Sequence, residues 1–132
     1  MAAFDKVEKA VSVKTERLDL SIEDGILYCV YQEVELLDIH LASLCVQDRL
    51  NFAGGQSYPS LFDITHVKHS TKEARDYLAN EGNEGVVASA IIVSSPMLKM
   101  AANFYIKVNR PKNPTRMFTG EDEAIQWLSQ YK

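Results

Sequence analysis

Val86-Val87-Ala88-Ser89-Ala90-Ile91-Ile92-Val93 is the most strand-like stretch of the chain, uncharged throughout, and Ser94-Ser95-Pro96 follows it directly. Valine and isoleucine are stiff at χ1 and fit a pleated surface, so the segment predicts a strand. Proline is tolerated in the first turn of a helix, so Pro96 predicts a helix start. That helix is expected to bury Met97, Met100, Ala101, Phe104 and Val108, whose spacing of three and four places them on one side. Asn109-Arg110-Pro111 is expected to end it, because proline cannot continue the backbone hydrogen bonding. A buried strand running into an amphipathic helix is the building unit of an α/β sheet.

The same unit recurs on both sides. Upstream, Tyr58–Ile64 is a short, nearly continuous apolar run predicted as a strand buried on both faces. Ser70-Thr71-Lys72-Glu73 has the spacing of a capping box, with Ser70 as N-cap, and predicts a helix with Ala74, Tyr77 and Leu78 inside. Gly82 or Gly85 is expected to stop it. Asp38 is expected to cap an earlier helix to about Phe52, with Ile39, Ala42, Val46 and Leu50 as its core stripe and Gly54-Gly55 as its end. Farther upstream, Val11–Ile22 alternates apolar and polar residues, which predicts one half-exposed strand. Glu23-Asp24-Gly25 turns it back into Ile26–Tyr31, since both central residues tolerate positive φ. Downstream, Thr115–Phe118 predicts a last strand. Thr119 is expected to cap a last helix whose first turn holds Glu121, Asp122 and Glu123, favoured there by the helix dipole. Ala124, Ile125, Leu128 and Tyr131 form its expected inner stripe, with Trp127 at the edge.

The predicted order is therefore β-β-α-β-α-β-α-β-α. It describes one α/β domain over residues 11–132, a mixed sheet with a leading hairpin, and a loose arm over residues 1–10. The 132 residues fit one domain and bury enough surface for a core without staples. Cys29 and Cys45 make no disulfide framework and read as small buried hydrophobes, neither with a CxxC partner. No apolar run reaches a membrane span and residues 1–10 lack a signal-peptide core, so a cytoplasmic protein is expected.

Several of these segments together resemble the small bacterial SpoIIAA-like, or STAS-like, proteins, related in fold to the anti-sigma-factor antagonists. The stretches are Glu23–Tyr28, Tyr58–Ile64, Lys72–Leu78, Ser94-Ser95-Pro96, Asn103-Phe104, Asn109-Arg110-Pro111 with Pro114-Thr115, and Phe118-Thr119 before an acidic helix start. The resemblance spans roughly Leu18 to Tyr131. It implies a SpoIIAA-like mixed sheet and a non-catalytic regulatory domain that binds a protein partner or itself. In the antagonists, a serine in an Asp-Ser-(Ser/Thr)-Gly-like turn after the central strand is phosphorylated to switch partner binding. Here Asp63-Ile64-Thr65-His66-Val67-Lys68-His69-Ser70 follows instead. Asp63 matches the aspartate, no Ser-Ser-Gly follows it, and Ser70 is the nearest phosphosite candidate as well as the expected N-cap.

The residues themselves offer few chemical signatures. Asp63, His66 and His69 are three apart, yet no further ligand completes a metal set, and two exposed loop histidines are the expected reading. His40 is expected to be solvated. No phosphate loop, dinucleotide fingerprint or nucleophile elbow occurs, so no cofactor and no enzymatic activity are expected. Ser94 and Ser95 stand where a parallel strand meets a helix, the usual ligand position in open α/β sheets, although capping alone also explains them.

Charge is distributed unevenly. Gly85–Gly120 contains Lys99, Lys107, Arg110, Lys112 and Arg116 and no acid, whereas the remaining segments hold nine of the 14 cations and all 18 acids. Lys99, Asn103 and Arg110 share one polar side of the third helix, and with Arg116 they are candidates for an anionic small molecule or lipid. A solvated face is the alternative. Specific nucleic-acid binding fits poorly with a net charge of −4. Leu37, Leu41, Leu44 and Cys45 form a second apolar side on the first helix, so a homodimer or partner interface is expected there, unless neighbouring strands cover it.

Overall fold

The computed structural model describes residues 10–132, without the side chains of Ala10, Leu98, Tyr105 and Asn109. The arm expected over residues 1–10 lies outside them, except that Ala10 opens the first strand. Eight strands and four α-helices follow: β1 Ala10–Lys14, β2 Leu18–Glu23, β3 Ile26–Tyr31, β4 Val34–Leu37, α1 Ile39–Ala53, β5 Tyr58–Asp63, β6 Val67–Ser70, α2 Lys72–Ala79, β7 Val86–Ile92, α3 Pro96–Asn109, β8 Thr115–Phe118 and α4 Glu121–Leu128. The main sheet has the order β1-β2-β3-β5-β7-β8. Its first three strands are an antiparallel meander, and β3, β5, β7 and β8 are parallel.

The expected α/β alternation is present from β3 onward. Three elements differ from the predicted order. The single strand expected over Val11–Ile22 is two, because Thr15 folds the chain back: its hydroxyl accepts from the N–H groups of Arg17 and Leu18 at 3.2 and 3.0 Å. Arg17 then forks onto Asp48 of α1, with both N···O distances 3.2 Å. The other two additions are β4 and β6, which pair in parallel as a separate two-stranded sheet. Four residues each, they are too short to show a period.

Helix ends follow local chemistry. Asp38 caps α1 by accepting from the Leu41 N–H at 2.8 Å, and Gly54 closes it in the left-handed conformation, as expected. The cap of α2 is Thr71, not Ser70: the Thr71 hydroxyl accepts from the Ala74 N–H at 3.0 Å. Ser70 is held in β6 opposite Leu37, so the helix starts one residue later than its sequence suggests. Gly120 rather than Thr119 precedes α4 as its N-cap. Arg110 ends α3 at φ 49°, immediately before Pro111.

Alternation along the strands sorts two cores onto opposite faces. Ile26, Leu61, Ala88, Ala90, Ile92 and Phe118 meet Ala124 and Leu128 of α4. Trp127 and Tyr131 close the edge in a T-shaped contact, centroids 5.1 Å apart. On the other face, Leu18, Leu20, Leu27, Cys29 and Tyr31 meet Ala42, Cys45 and Ala53 of α1 and Ala74 of α2. The buried stripe of α1 is thus Ala42, Cys45, Val46, Arg49 and Ala53; Ile39 is exposed and Leu50 only half-buried. The second apolar side read on α1 is therefore no free surface as a whole. Leu37 and Cys45 are core residues, while Leu41 and Leu44 are half-buried.

Candidate functional site

On the face that carries α1 and α2, one row crosses four strands: Cys29 pairs with Phe62, Phe62 with Ile91, and Ile91 with Met117. Cys29 is sealed by α1. The rest of the row forms the bed of a groove of about 700 Å³. Leu78 of α2 and Val46 of α1 line one side, Leu37 and Val67 of the small sheet another. Ile64 and Val93 line it at the C-terminal strand ends, and Ala101, Ala102, Phe104 and Val108 of α3 form the remaining wall. The volume lies within the range of roughly 300–1,000 Å³ typical of ligand sites.

The groove exists because α3 does not bury the face its sequence predicts. Met97, Met100, Phe104 and Val108 are 76, 70, 69 and 62% exposed, and Ala101 is exposed as well. Among the described side chains of this helix, Ala102 and Ile106 are the half-buried ones. The expected core stripe is therefore uncovered. Phe104 and Val108 reach the groove, while Met97 and Met100 are not among its lining residues.

Polar groups enter the groove from its margins and its floor. Lys68, His69, Lys72 and Arg75 line it, together with Arg49, and no carboxylate does so among the described residues. The marginal cations have partners: Lys68 lies 3.4 Å from Glu35, Lys72 lies 2.9 Å from Asp76, and Arg75 donates to the Ser70 carbonyl at 2.7 Å. Arg49 differs. It is 2% exposed, donates from Nη1 to the Glu84 carbonyl at 3.0 Å and from Nη2 to the Gly82 carbonyl at 2.7 Å, and lies 5.7 Å from the Phe62 ring centroid. No carboxylate pairs with it among the described residues, and burial lowers its pKa. Its signal in the sequence was an arginine at a core position, three residues after Val46 and four before Ala53.

The residues singled out from sequence are not brought together. Ser70 lines the groove, its hydroxyl accepting from Arg75 Nη1 at 3.1 Å. Asp63 ends β5 and closes a turn, accepting from the Thr65 N–H and hydroxyl at 2.9 and 2.7 Å. That turn leads into β6, so no phosphoswitch-like turn meets a helix here. Ser94 is exposed and Ser95 half-buried at the start of α3, where the Ser95 carbonyl accepts from the Lys99 N–H. Lys99, Asn103, Arg110 and Arg116 are exposed and outside the groove lining, with the Arg116 guanidinium 5.5 Å from the Phe118 ring. His40, His66 and His69 are exposed, and no cluster of metal-ligating side chains occurs among the described residues. Cys29 and Cys45 are buried free thiols, with the Cys45 pKa pushed up to about 12 chiefly by burial. No helix among the described residues is long and apolar enough to cross a membrane.

The fold has a counterpart among solved structures. An uncharacterised DUF3478-family protein with a SpoIIAA-like fold, from Shewanella loihica PV-4, superposes with a TM-score of 0.54 over 90% of this chain and 91% of its own, at 13% identity. A protein of unknown function from Arthrobacter sp. FB24 is 26% identical, covers 89% of this chain and 97% of its own, and has a TM-score of 0.34. No curated protein matches the sequence. The family model of the domain of unknown function DUF7793 matches residues 20–132.

Proposed function

Because the chain belongs to the DUF7793 family, a domain family of unknown function with here a SpoIIAA-like fold, we propose from its own geometry that it is a non-catalytic binding module. Its ligand is an apolar small molecule or single lipid held between the sheet and α3. The observation that carries this reading is the groove of about 700 Å³ over Phe62, Ile91 and Met117. Folded cores are close-packed, with few voids larger than a water molecule, so a space of this size beside an uncovered apolar helix face is one that a ligand can fill. The C-terminal strand ends contribute Ile64 and Val93, as ligand sites of open α/β sheets do. The cations at the groove are Arg49, Lys68, Lys72 and Arg75 rather than those of α3.

Thermal-shift titration against a panel of amphiphiles, checked by native mass spectrometry of protein purified from cells, tests the proposal. At least one class of apolar ligand is expected to raise the melting temperature in a dose-dependent way, and Ala102→Trp, which fills the groove from α3, is expected to abolish the shift. A panel without effect, or a shift that Ala102→Trp leaves intact, contradicts it.

A second reading, a regulatory domain docked to a protein partner or to its own copy, is supported by Met97 and Met100. These two extend the apolar stripe beyond the groove lining, and methionine-rich surfaces adapt to partners. Met97→Glu with Met100→Glu separates the readings. Loss of self-association or partner capture with ligand binding unchanged favours docking, and loss of neither disposes of it.

A further inference from the structure

Arg49 has more hydrogen-bonding capacity than the fold uses. A guanidinium carries five N–H donors. Two are spent on the carbonyls of Gly82 and Glu84, and no other hydrogen bond of Arg49 is formed among the described residues. A buried charge is costly unless it is paired, and two carbonyl dipoles with the face of a ring compensate only part of that cost. The carbonyls explain why the side chain lies under the Gly82–Gly85 turn. They do not explain why a cation, rather than a neutral donor, stands on the floor of a groove that no carboxylate lines among the described residues.

A second group on that floor is unpartnered. Ser89 is 5% exposed and lines the groove, and its hydroxyl makes no hydrogen bond among the described residues. Yet no fully enclosed side-chain polar atom lacks a partner among those residues. The Ser89 Oγ therefore keeps access to the groove rather than being sealed in the core. Two residues on, and on the same face of β7, Ile91 belongs to the apolar row.

We propose that the groove selects a long-chain carboxylate: its carboxylate pairs with the Arg49 guanidinium and accepts from the Ser89 hydroxyl, and its alkyl chain lies over Phe62, Ile91, Met117 and Phe104. The proposal rests on the groove being the ligand site and adds which chemistry it prefers. Charge complementarity selects the occupant. A neutral lipid leaves Arg49 uncompensated, whereas a carboxylate brings a planar two-oxygen acceptor that matches the guanidinium fork. The bond is formed away from bulk water, where charge-assisted hydrogen bonds are strong.

Isothermal titration of the intact protein with dodecanoate and with dodecanol tests this, because the ligand changes and the protein does not. Dodecanoate is expected to bind roughly tenfold or more tightly than dodecanol, the scale of charge-assisted hydrogen bonds. Ser89→Ala is expected to weaken dodecanoate by roughly threefold and leave dodecanol unchanged. Arg49→Met is expected to bring the two ligands to equal affinity. Should that variant fail to fold, the dodecanoate-to-dodecanol ratio of the native protein and of Ser89→Ala still decides. Equal affinities in the native protein overturn the carboxylate site and leave the apolar groove standing. Binding of neither ligand overturns both, and binding only to anionic phospholipid vesicles overturns the carboxylate site.

Discussion

Helices α3 and α4 lie beside the same parallel strands and have similar amphipathic sequences, yet one seals a core and the other borders a groove. Under α4 the strands offer Ala88 and Ala90, small enough for the helix to come close, and Ala124 and Leu128 are 0% exposed in return. On the other face the strands offer Ser89, Ile91 and Met117, while Met97, Met100, Phe104 and Val108 of α3 are 62–76% exposed. The contrast teaches that a helical apolar stripe states an appetite for burial, not its partner. On α4 the fold itself satisfies that appetite; on α3 the stripe stays uncovered, and the ligand proposed above would satisfy it.

The largest effect that sharpens this comparison is expected from truncation on each helix. Leu128→Ala removes a fully buried side chain and is expected to cost about 2–5 kcal/mol in urea denaturation. Phe104→Ala on the mostly exposed stripe is expected to stay within about 0.5 kcal/mol. Equal losses would mean that α3 is packed as α4 is.

Enlargement runs the other way. Ala90→Leu overfills the core under α4 and is expected to cost about 1–3 kcal/mol. Ala102→Leu points into space and is expected to be neutral or mildly stabilising by the same measurement. A cost at Ala102 comparable to that at Ala90 would show that the groove is closed in solution.

Thiol chemistry gives a subtler comparison. Cys29 and Cys45 sit in the closed core, and burial raises both pKa values, that of Cys45 to about 12. Both are expected to resist an uncharged maleimide at neutral pH until the protein unfolds, whereas Ala102→Cys is expected to be labelled in the folded state. A thiol whose folded pKa exceeds the ordinary value contributes stability that is complete below about pH 9 and lost as pH rises toward the raised value. Stability flat across that range would contradict the burial of Cys45.

Much of the fold was legible in residues with strong local meaning. Asp24-Gly25 marked the β2–β3 turn, Asp38 and Gly54 bounded α1, Pro96 opened α3, and the uncharged run to Ile92 marked a central strand. The elements that escaped are those made by tertiary pairing: β4 and β6 exist because they pair with each other, and that pairing holds Ser70 in a strand and leaves the cap to Thr71. The site was less legible. Ser70 and the strand ends were pointed to, but the charge pattern led to Lys99, Asn103, Arg110 and Arg116, which lie outside the groove. Arg49 was hidden because a single arginine in an apolar stripe reads as a helix residue until its burial and its missing counter-charge are seen. The resemblance named the fold, and the missing Ser-Ser-Gly after Asp63 already set this chain apart from the phosphoswitch of the antagonists; the Asp63–Ser70 segment is spent on a turn and β6.

Hydrogen exchange along α3 and α4, with and without saturating dodecanoate, tests most directly the claim that α3 waits for a ligand. In the free protein α3 amides are expected to exchange faster than those of α4, and the ligand is expected to slow α3 at least tenfold while leaving α4 unchanged. Equal protection of the two helices in the free protein, or an α3 that exchanges at the same rate with ligand bound, would contradict it.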